Sequence, residues 1–364
     1  YQPKKKSKRA MLFVHGLTGT FYNHVKLFEL FASACENSGI GFAAFNGVGY
    51  KAVPRILWET GFTNLTIVSK LQELDGMFPA FKWGEQPDPG DPIAADIAIR
   101  EFIDEHGQPA FDKLDVLFGT DPDADRMGAV VKVPENQQKY FGKYRLLSAN
   151  DAWTLLLWYR LMRKQQLGQL QNPDNHAVVF SHVTTDAIEA VAELFGVKSI
   201  GKMMDMTETE ERGDYLNGRR TWVGFTYLGE IFEELEAQGK IAEIGAEESN
   251  GVSLGGHVKD KDGTLAAILV AEIAAFAKAN ETTLFELLDE IYKRIGHYAT
   301  ANKPLPRVGS FEGAAGASEK IFIIKKTEDW FVQANARAGT DNPLMVAGKK
   351  VIGAVQFKSG RVDD

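Results

Sequence analysis

From residue 40 onward, short and uniformly apolar runs alternate with longer stretches whose apolar positions recur every three or four residues. The first kind reads as strands buried on both faces, the second as helices packed on one side. Residues 41–45 are the first such strand, followed by the glycine turn Asn46-Gly47-Val48-Gly49 and a helical stretch over residues 51–59. Residues 65–68 predict the next strand. In the Pro-rich loop over residues 78–92, Pro87, Pro89 and Pro92 stand too close together for a helix or a central strand. Helical spacing returns over residues 93–105. Residues 114–118 then predict a buried strand that ends on Asp121-Pro122-Asp123-Ala124-Asp125-Arg126.

A second unit of the same kind occupies about residues 148–300. Residues 151–162 form a strongly apolar helix, and residues 177–183 a strand. Thr184-Thr185-Asp186 are good capping residues for the helix that carries Ile188, Val191, Ala192 and Phe195, and Gly196 stops that helix. Thr283-Leu284-Phe285-Glu286 has the form of a capping box; behind it Leu284, Leu287, Leu288, Ile291 and Ile295 make one apolar stripe. Strand, loop and helix in alternation predict an α/β fold: two consecutive α/β domains with mixed or parallel sheets, covered on both faces. The two units can be copies of one domain type. The last 60 or so residues are rich in Gly and Ala and carry no clear pattern.

Composition narrows the picture only a little. A chain of 364 residues is too long for a single core, which agrees with two or more domains. A net charge of −8 argues against a nucleic-acid partner, which needs a broad basic face, yet leaves room for a local cation cluster that holds a sugar phosphate. Cys35 is the single cysteine, so no disulfide forms within the chain, and a cytoplasmic setting is expected. No apolar run approaches the roughly 18 residues of a membrane span; the stretch at residues 266–276 is interrupted by Glu272. Lys4-Lys5-Lys6-Ser7-Lys8-Arg9 reads as a solvated tail. The start at Tyr1 and the polar end at Asp364 are expected of a fragment of something longer.

The aspartate loop carries the clearest chemistry. Carboxylates at i, i+2 and i+4 of an extended loop project to one side, because side chains alternate with period two. Asp121, Asp123 and Asp125 therefore offer hard oxygen donors suited to Mg2+, with coordination positions left for a phosphoryl oxygen. Arg126 can pair with phosphate or steady a carboxylate. A calcium EF-hand is excluded, because its sixth and twelfth positions, which require Gly and Glu, are Arg126 and Lys132. The plainer alternative is a solvated acidic turn. The position directly after a buried strand, at the carboxyl edge where α/β sheets bind ligands, favours the metal.

Phe118 to Arg126 resembles the metal loop of the α-D-phosphohexomutases, the phosphoglucomutase and phosphomannomutase family, and other segments agree in the family's order. Asn46 to Lys51 is similar to the glycine turn opening the family's second domain, with Asn46 where His is usual. Pro87-Asp88-Pro89-Gly90-Asp91-Pro92 resembles its Pro-Asn-Pro-Glu loop. Val223-Gly224-Phe225-Thr226-Tyr227 resembles the third domain's sugar-orienting loop, with Thr226 where many relatives have Lys. Gly245-Ala246-Glu247-Glu248-Ser249 and Asp260-Lys261-Asp262-Gly263 resemble the sugar-binding Glu-Glu-Ser loop and the Lys-Asp-Gly segment after it, and Ala347 to Val351 continues the resemblance. It implies that Asp121, Asp123 and Asp125 hold Mg2+ and that Arg126, Gly224, Glu247, Ser249 and Lys261 bind a hexose phosphate. For Lys261 a plain surface lysine is the competing reading.

On that basis residues 41–147 are a metal-binding domain and residues 148–310 a sugar-binding domain. Residues 311–364 end the second domain or form a linker, and residues 1–40 are a segment whose origin the sequence leaves open. The implied reaction interconverts a hexose 1-phosphate and its 6-phosphate through a phosphoserine, with glucose favoured over mannose by overall resemblance. The family's Thr-Ala-Ser-His-Asn-Pro type phosphoserine loop has no match here. The chain is therefore expected to lack the first and fourth mutase domains. Arg337-Ala338-Gly339-Thr340-Asp341-Asn342-Pro343 echoes the fourth domain's phosphate loop only by coincidence, since it precedes Ala347.

Two other classes compete. One is a sugar-phosphate binder without catalysis. The other is a serine α/β-hydrolase: residues 10–45 do not look like the mutases, His15-Gly16 resembles an oxyanion-hole region, and Gly251-Val252-Ser253-Leu254-Gly255 fits the G-x-S-x-G elbow. The charged segment after Ser253, where a helix is required, counts against it.

Overall fold

The computed structural model describes residues 32–201, 223–255, 257–298, 313–346 and 348–351. The chain divides into two compact units, Tyr1–Met204 with Gly213–Tyr298, and Asp205–Arg212 with Ala299–Asp364. The expected α/β architecture is present, and the first unit holds the two larger sheets.

Sheet one contains β1 (Ile40–Ala43), β2 (Leu65–Ile67), β3 (Val116–Thr120), β4 (Met127–Lys132) and β5 (Tyr144–Leu146), in the order β2-β1-β3-β4-β5. β1 runs parallel to β2 and β3, whereas β4 is antiparallel to β3 and to β5. Sheet two contains β6 (His176–Phe180), β7 (Lys198–Ile200), β8 (Ile241–Ala246) and β9 (Val252–Ser253), in the order β7-β6-β8-β9. Here too the first strand is parallel to its two neighbours and the last is antiparallel. The first four strands of sheet one and the four of sheet two thus follow one plan. The turn between β3 and β4 is topologically the turn between β8 and β9.

Local chemistry accounts for the helices. In α1 (Gly49–Glu59), Pro54 cannot donate to the Tyr50 carbonyl four residues back; the Gln72 side-chain amide donates to that oxygen instead, at 2.5 Å. α2 (Pro92–His106) starts with proline at its first position, where a missing N–H costs nothing, and Asp91 accepts from Ile93 N–H at 2.8 Å. The short α3 (Gln108–Phe111) and α4 (Gln138–Phe141) precede β3 and β5. α5 (Ala149–Gln166) is capped by Ser148, and α8 (Gly263–Ala279) by Asp262. α9 (Leu284–Ile295) opens with the capping box expected of Thr283 and Glu286. Between them lie α6 (Ala187–Leu194) and α7 (Phe225–Ala237).

One continuous core joins the sheets. Phe42, Phe118 and Val131 of sheet one, Val178 and Ile244 of sheet two, and Trp153, Val270 and Ile291 from α5, α8 and α9 are all buried in it. The other face of sheet one packs Leu117 against Ile97 and Phe102 of α2. The other face of sheet two packs Val179 against Ile231 and Phe232 of α7. Burying large apolar side chains on both faces explains why the strands read as unbroken apolar runs.

The expected strands at residues 41–45 and 65–68 are found at Ile40–Ala43 and Leu65–Ile67, and two others are displaced by turns. The run at residues 114–118 becomes β3 only from Val116, because Leu114 N–H closes a turn on the Phe111 carbonyl. The run at residues 177–183 stops at Phe180, because Thr184 N–H turns back to the Ser181 carbonyl. At the cap of α6, Asp186 accepts no side-chain capping bond, and the Thr185 hydroxyl accepts from Ala187 N–H at 3.2 Å. Among the described residues no single helix is long and apolar enough to cross a membrane.

The second unit, by itself, shows α10 (Gly313–Arg337) and a hairpin of β10 (Met345–Val346) and β11 (Lys349–Lys350). The sequence showed no pattern for this helix. Arg337 donates to the Asn342 carbonyl at 2.7 Å and to its side-chain oxygen at 3.0 Å, so its guanidinium is spent inside its own turn.

Candidate functional site

The aspartate turn between β3 and β4 is fixed from three sides. Val48 N–H of the glycine turn donates to the Pro122 carbonyl at 2.8 Å, and Gly47 has no room for a Cβ against Pro122. Asn46, where the mutases usually have His, pins its own loop by donating to the Glu73 carbonyl at 2.8 Å. Ala124, at φ +59°, makes the tight turn that lets neighbouring aspartates converge. Oxygens of Asp121, Asp123 and Asp125 come within 4.8 Å of one another. Three carboxylates at that spacing suit a hard divalent cation.

Asp121 is 2% exposed and accepts from the Arg126 main-chain N–H at 3.0 Å and from its Nε at 2.6 Å. Burial pushes its carboxyl up to about 6; the Arg126 bonds pull it down, and the Asp123 charge pushes it up. Arg126 also donates through Nη1 to Asp88 at 3.0 Å, and its Nε lies 3.8 Å from Asp125. Of the two roles open to Arg126 in the sequence, the structure displays the steadying of carboxylates.

The equivalent turn of sheet two carries Glu247, Glu248, Ser249 and Asn250. Glu247 is 5% exposed, and its Oε1 accepts from Gly224 N–H at 3.0 Å, ahead of α7. Burial raises its pKa, opposed by that N–H and by Lys261. Trp153 Nε1 holds the Glu247 carbonyl at 2.8 Å. Glu248 accepts from the buried Ser181 hydroxyl at 3.1 Å, while Ser249 is exposed. Thr226 is exposed in the first turn of α7.

The two turns meet. Arg126 and Gly251 form an antiparallel bridge, Met127 N–H donates to the Asn250 carbonyl at 3.3 Å, and Asn250 Nδ2 donates to the Met127 carbonyl at 3.1 Å. Gly263 N–H, opening α8, donates to the Ala124 carbonyl at 3.1 Å. Lys261 Nζ pairs with Asp125 at 3.0 Å and with Asp260 at 3.2 Å. The structure places Asp121, Asp123, Asp125 and Arg126 on the β3–β4 turn, Glu247 and Ser249 on the β8–β9 turn, Gly224 ahead of α7 and Lys261 ahead of α8, an adjacency the sequence did not show. The sequence missed Asp88, Trp153, Asn250 and Gly263 as supports. Asp88 left a trace, as a charged residue where the related loop has Asn, and Gly263 as the last residue of the Lys-Asp-Gly resemblance.

A Cβ on Gly263 would lie 2.7 Å from the carbonyl oxygens of both Ala124 and Arg126. Gly263→Ala is therefore expected to cost about 1–3 kcal/mol in urea unfolding, because backbone rather than a flexible side chain must yield. Divalent-cation affinity should fall with it. An unchanged unfolding midpoint would show that the start of α8 does not press on the aspartate turn.

Comparison with known proteins follows this geometry. The family description "Phosphoglucomutase/phosphomannomutase, alpha/beta/alpha domain II" matches residues 20–134, and that of domain III matches residues 213–295. A phosphoglucomutase of Staphylococcus haemolyticus is 24% identical over 318 residues, 87% of this chain and 48% of its own length. A mouse phosphopentomutase is 24% identical over 283 residues, 77% of this chain and 40% of its own. The solved open form of parafusin, a phosphoglucomutase from Paramecium, is 19% identical and covers 86% of this chain and 48% of its own, with a TM-score of 0.49. The chain spans about half the length, or less, of the curated relatives it matches.

These matches correct the reading of the N-terminal segment. Residues 20–45 fall within the domain II match, so the segment is not foreign to the mutases from residue 20 onward, and the hydrolase resemblance is not borne out. His15 and Gly16 lie outside the described residues. Ser253, centre of the apparent elbow, is fully buried in β9 and donates to the Val258 carbonyl at 3.1 Å, so it presents no nucleophile.

Proposed function

The chain belongs to the phosphoglucomutase/phosphomannomutase family, and from that premise we propose that it is the metal- and sugar-binding part of a phosphohexomutase. The whole protein would interconvert a hexose 1-phosphate and its 6-phosphate. The carrying observation is the junction itself: a three-carboxylate turn and a Glu-Glu-Ser turn held together by main chain and by the Asp125–Lys261 pair.

Asp121, Asp123 and Asp125 would hold Mg2+, favoured by hard oxygen donors and by the ease with which that ion keeps open positions for phosphate. When bound, it would neutralise charge on the transferring phosphoryl group. The remaining work belongs to side chains. Glu247 keeps Oε2 for sugar hydroxyls while Gly224 fixes Oε1, so Gly224 acts by orienting the carboxylate. Ser249, exposed beside it, can both donate to and accept from a hydroxyl. Lys261 supplies positive charge for the phosphate. Arg126, held by Asp121 and Asp88, keeps the aspartate turn in shape. Positioning and charge neutralisation are most of what phosphoryl transfer asks of a protein.

The phosphoserine would come from outside these residues, with the first and fourth mutase domains, in a cytoplasmic setting. Glucose is the proposed sugar, with mannose or a pentose as competitors. A second reading, a sugar-phosphate binder without turnover, is favoured by one observation: no phosphoserine-type loop occurs in the sequence.

Calorimetry with Mg2+ and glucose 1-phosphate, followed by turnover assays with a bisphosphate activator, tests both readings. This chain should bind both ligands and turn over nothing alone, while the full gene product should isomerise the sugar phosphate. Binding by a full gene product inert on every hexose phosphate would favour the second reading. Failure of both ligands to bind would sink both.

A further inference from the structure

The metal and sugar turns are tied together by the Arg126–Gly251 bridge, with its Met127 N–H bond to the Asn250 carbonyl, and by the Asn250 side-chain bond to the Met127 carbonyl. Their communication therefore falls to side chains, and two cations lie at the carboxylates. Arg126 has Asp121 and also Asp88, at 3.0 Å, so it keeps a partner if Asp121 turns to a metal. Lys261 has Asp125 at 3.0 Å; its other partner, Asp260, has a side chain 66% exposed. An ammonium and a divalent cation at Asp125 share one carboxylate and repel one another. Of the two cations, Lys261 is the one with little to hold it there.

The alternative position for Lys261 is set by its neighbours. Its stem fills the space over Gly251, where an added Cβ would meet Lys261 Cδ and come within 3.2 Å of Glu247 Oε2. Its ammonium lies 5.5 Å from the centre of the Phe225 ring, beside Gly224. Lysine has a flexible four-carbon stem, so rotation of its side chain would carry the charge toward the sugar turn.

We propose that Lys261 couples the two turns: a divalent cation on Asp125 drives its ammonium toward an anionic sugar ligand at Glu247 and Ser249, so each ligand strengthens binding of the other. This inference rests on the proposed function of the two turns and adds a linkage that that reading does not require. By reciprocity, the factor by which Mg2+ raises affinity for glucose 1-phosphate equals the factor by which glucose 1-phosphate raises affinity for Mg2+.

Calorimetry on the full chain tests it: Mg2+ is titrated with and without saturating glucose 1-phosphate, then the order is reversed. Equal factors of about tenfold are expected in both directions. Glucose without its phosphate should give little coupling, because a neutral sugar does not draw the ammonium. In Lys261→Gln the factor should drop to what direct attraction between metal and phosphate supplies, about twofold to threefold, and Mg2+ affinity without sugar should rise as its competitor disappears. Lys259→Gln, on the same turn but paired with Glu236, should keep the wild-type factor. Equal coupling in wild type and Lys261→Gln would overturn the inference, as would independent binding of the two ligands, while leaving the proposed function intact. If neither ligand binds, the proposed function fails and this inference with it.

Discussion

Asp123→Asn is expected to lower Mg2+ affinity by about 100-fold or more while leaving the fold unharmed. The magnitude takes as its floor the cost of disturbing residues behind a metal ligand, about 10- to 100-fold; replacing a ligand itself should cost at least the upper end. Asp123 is the cleanest of the three to change. It is exposed, whereas Asp121 is buried under two bonds from Arg126 and Asp125 is shared with Lys261. Its charge also pushes the Asp121 carboxyl upward, so neutralising it relieves repulsion within the turn. Unfolding of Asp123→Asn without metal should therefore occur at the wild-type midpoint or slightly above. Added Mg2+ should stabilise the wild type by about 2.7 kcal/mol at a concentration one hundred times Kd and barely affect the variant. Thermal shift against Mg2+ concentration reads both effects. Equal stabilisation of the two proteins would remove Asp123 from the metal site, and absence of stabilisation in both would remove the site.

How much of this was legible in the sequence depends on the separation of the partners. Asp121, Asp123 and Asp125 are two residues apart, and strand periodicity alone places their carboxylates on one side. The capping box at Thr283 and Glu286 is equally local and is found as expected. The supports are not local. Trp153 reaches the Glu247 carbonyl across 94 residues of sequence, and Asn250 reaches Met127 across 123. Neither leaves any periodic signal. Pro54 looks like a helix breaker, yet α1 continues through it because Gln72, on another element, satisfies Tyr50. The equivalence of the β3–β4 and β8–β9 turns appears only once strand order is known. Propensity and pattern reach as far as elements and short motifs. Which two turns face one another is decided by the shared core, whose residues come from both halves of the chain.

A second large effect is expected away from the ligands, at Glu243 in the middle of β8. Its side chain is 0% exposed and meets Arg160 Nε at 2.7 Å, Lys164 Nζ at 2.5 Å and His176 Nδ1 at 2.6 Å. Arg160 and Lys164 are one turn apart on α5, so the carboxylate ties that helix to the sheet whose β8–β9 turn carries Glu247. Burial alone would raise the Glu243 pKa; the two cations and the bonds from Lys164 and His176 outweigh it and leave the pKa lowered. A carboxylate with a lowered folded pKa stabilises the fold above its unfolded value of about 4.3, and that contribution is lost as pH falls through the folded value. Glu243→Ala strips the partners of their counter-charge and should cost about 3–5 kcal/mol at neutral pH, the usual penalty for breaking a buried ion cluster from one side. It should also flatten the fall of stability in acid, since the group that titrates is gone. Replacing all three charges at once, Glu243→Leu with Arg160→Met and Lys164→Met, should recover most of the loss, because well-packed apolar side chains can substitute for a buried ion pair. Urea unfolding of the three proteins at pH 7 and pH 4 separates the alternatives. If Glu243→Ala unfolds within about 0.5 kcal/mol of wild type, as an ordinary surface change would, the cluster does not hold α5 to the sheet. Should the triple replacement be no better than the single one, the lost energy belongs to shape and hydrogen bonds at this position rather than to uncompensated charge.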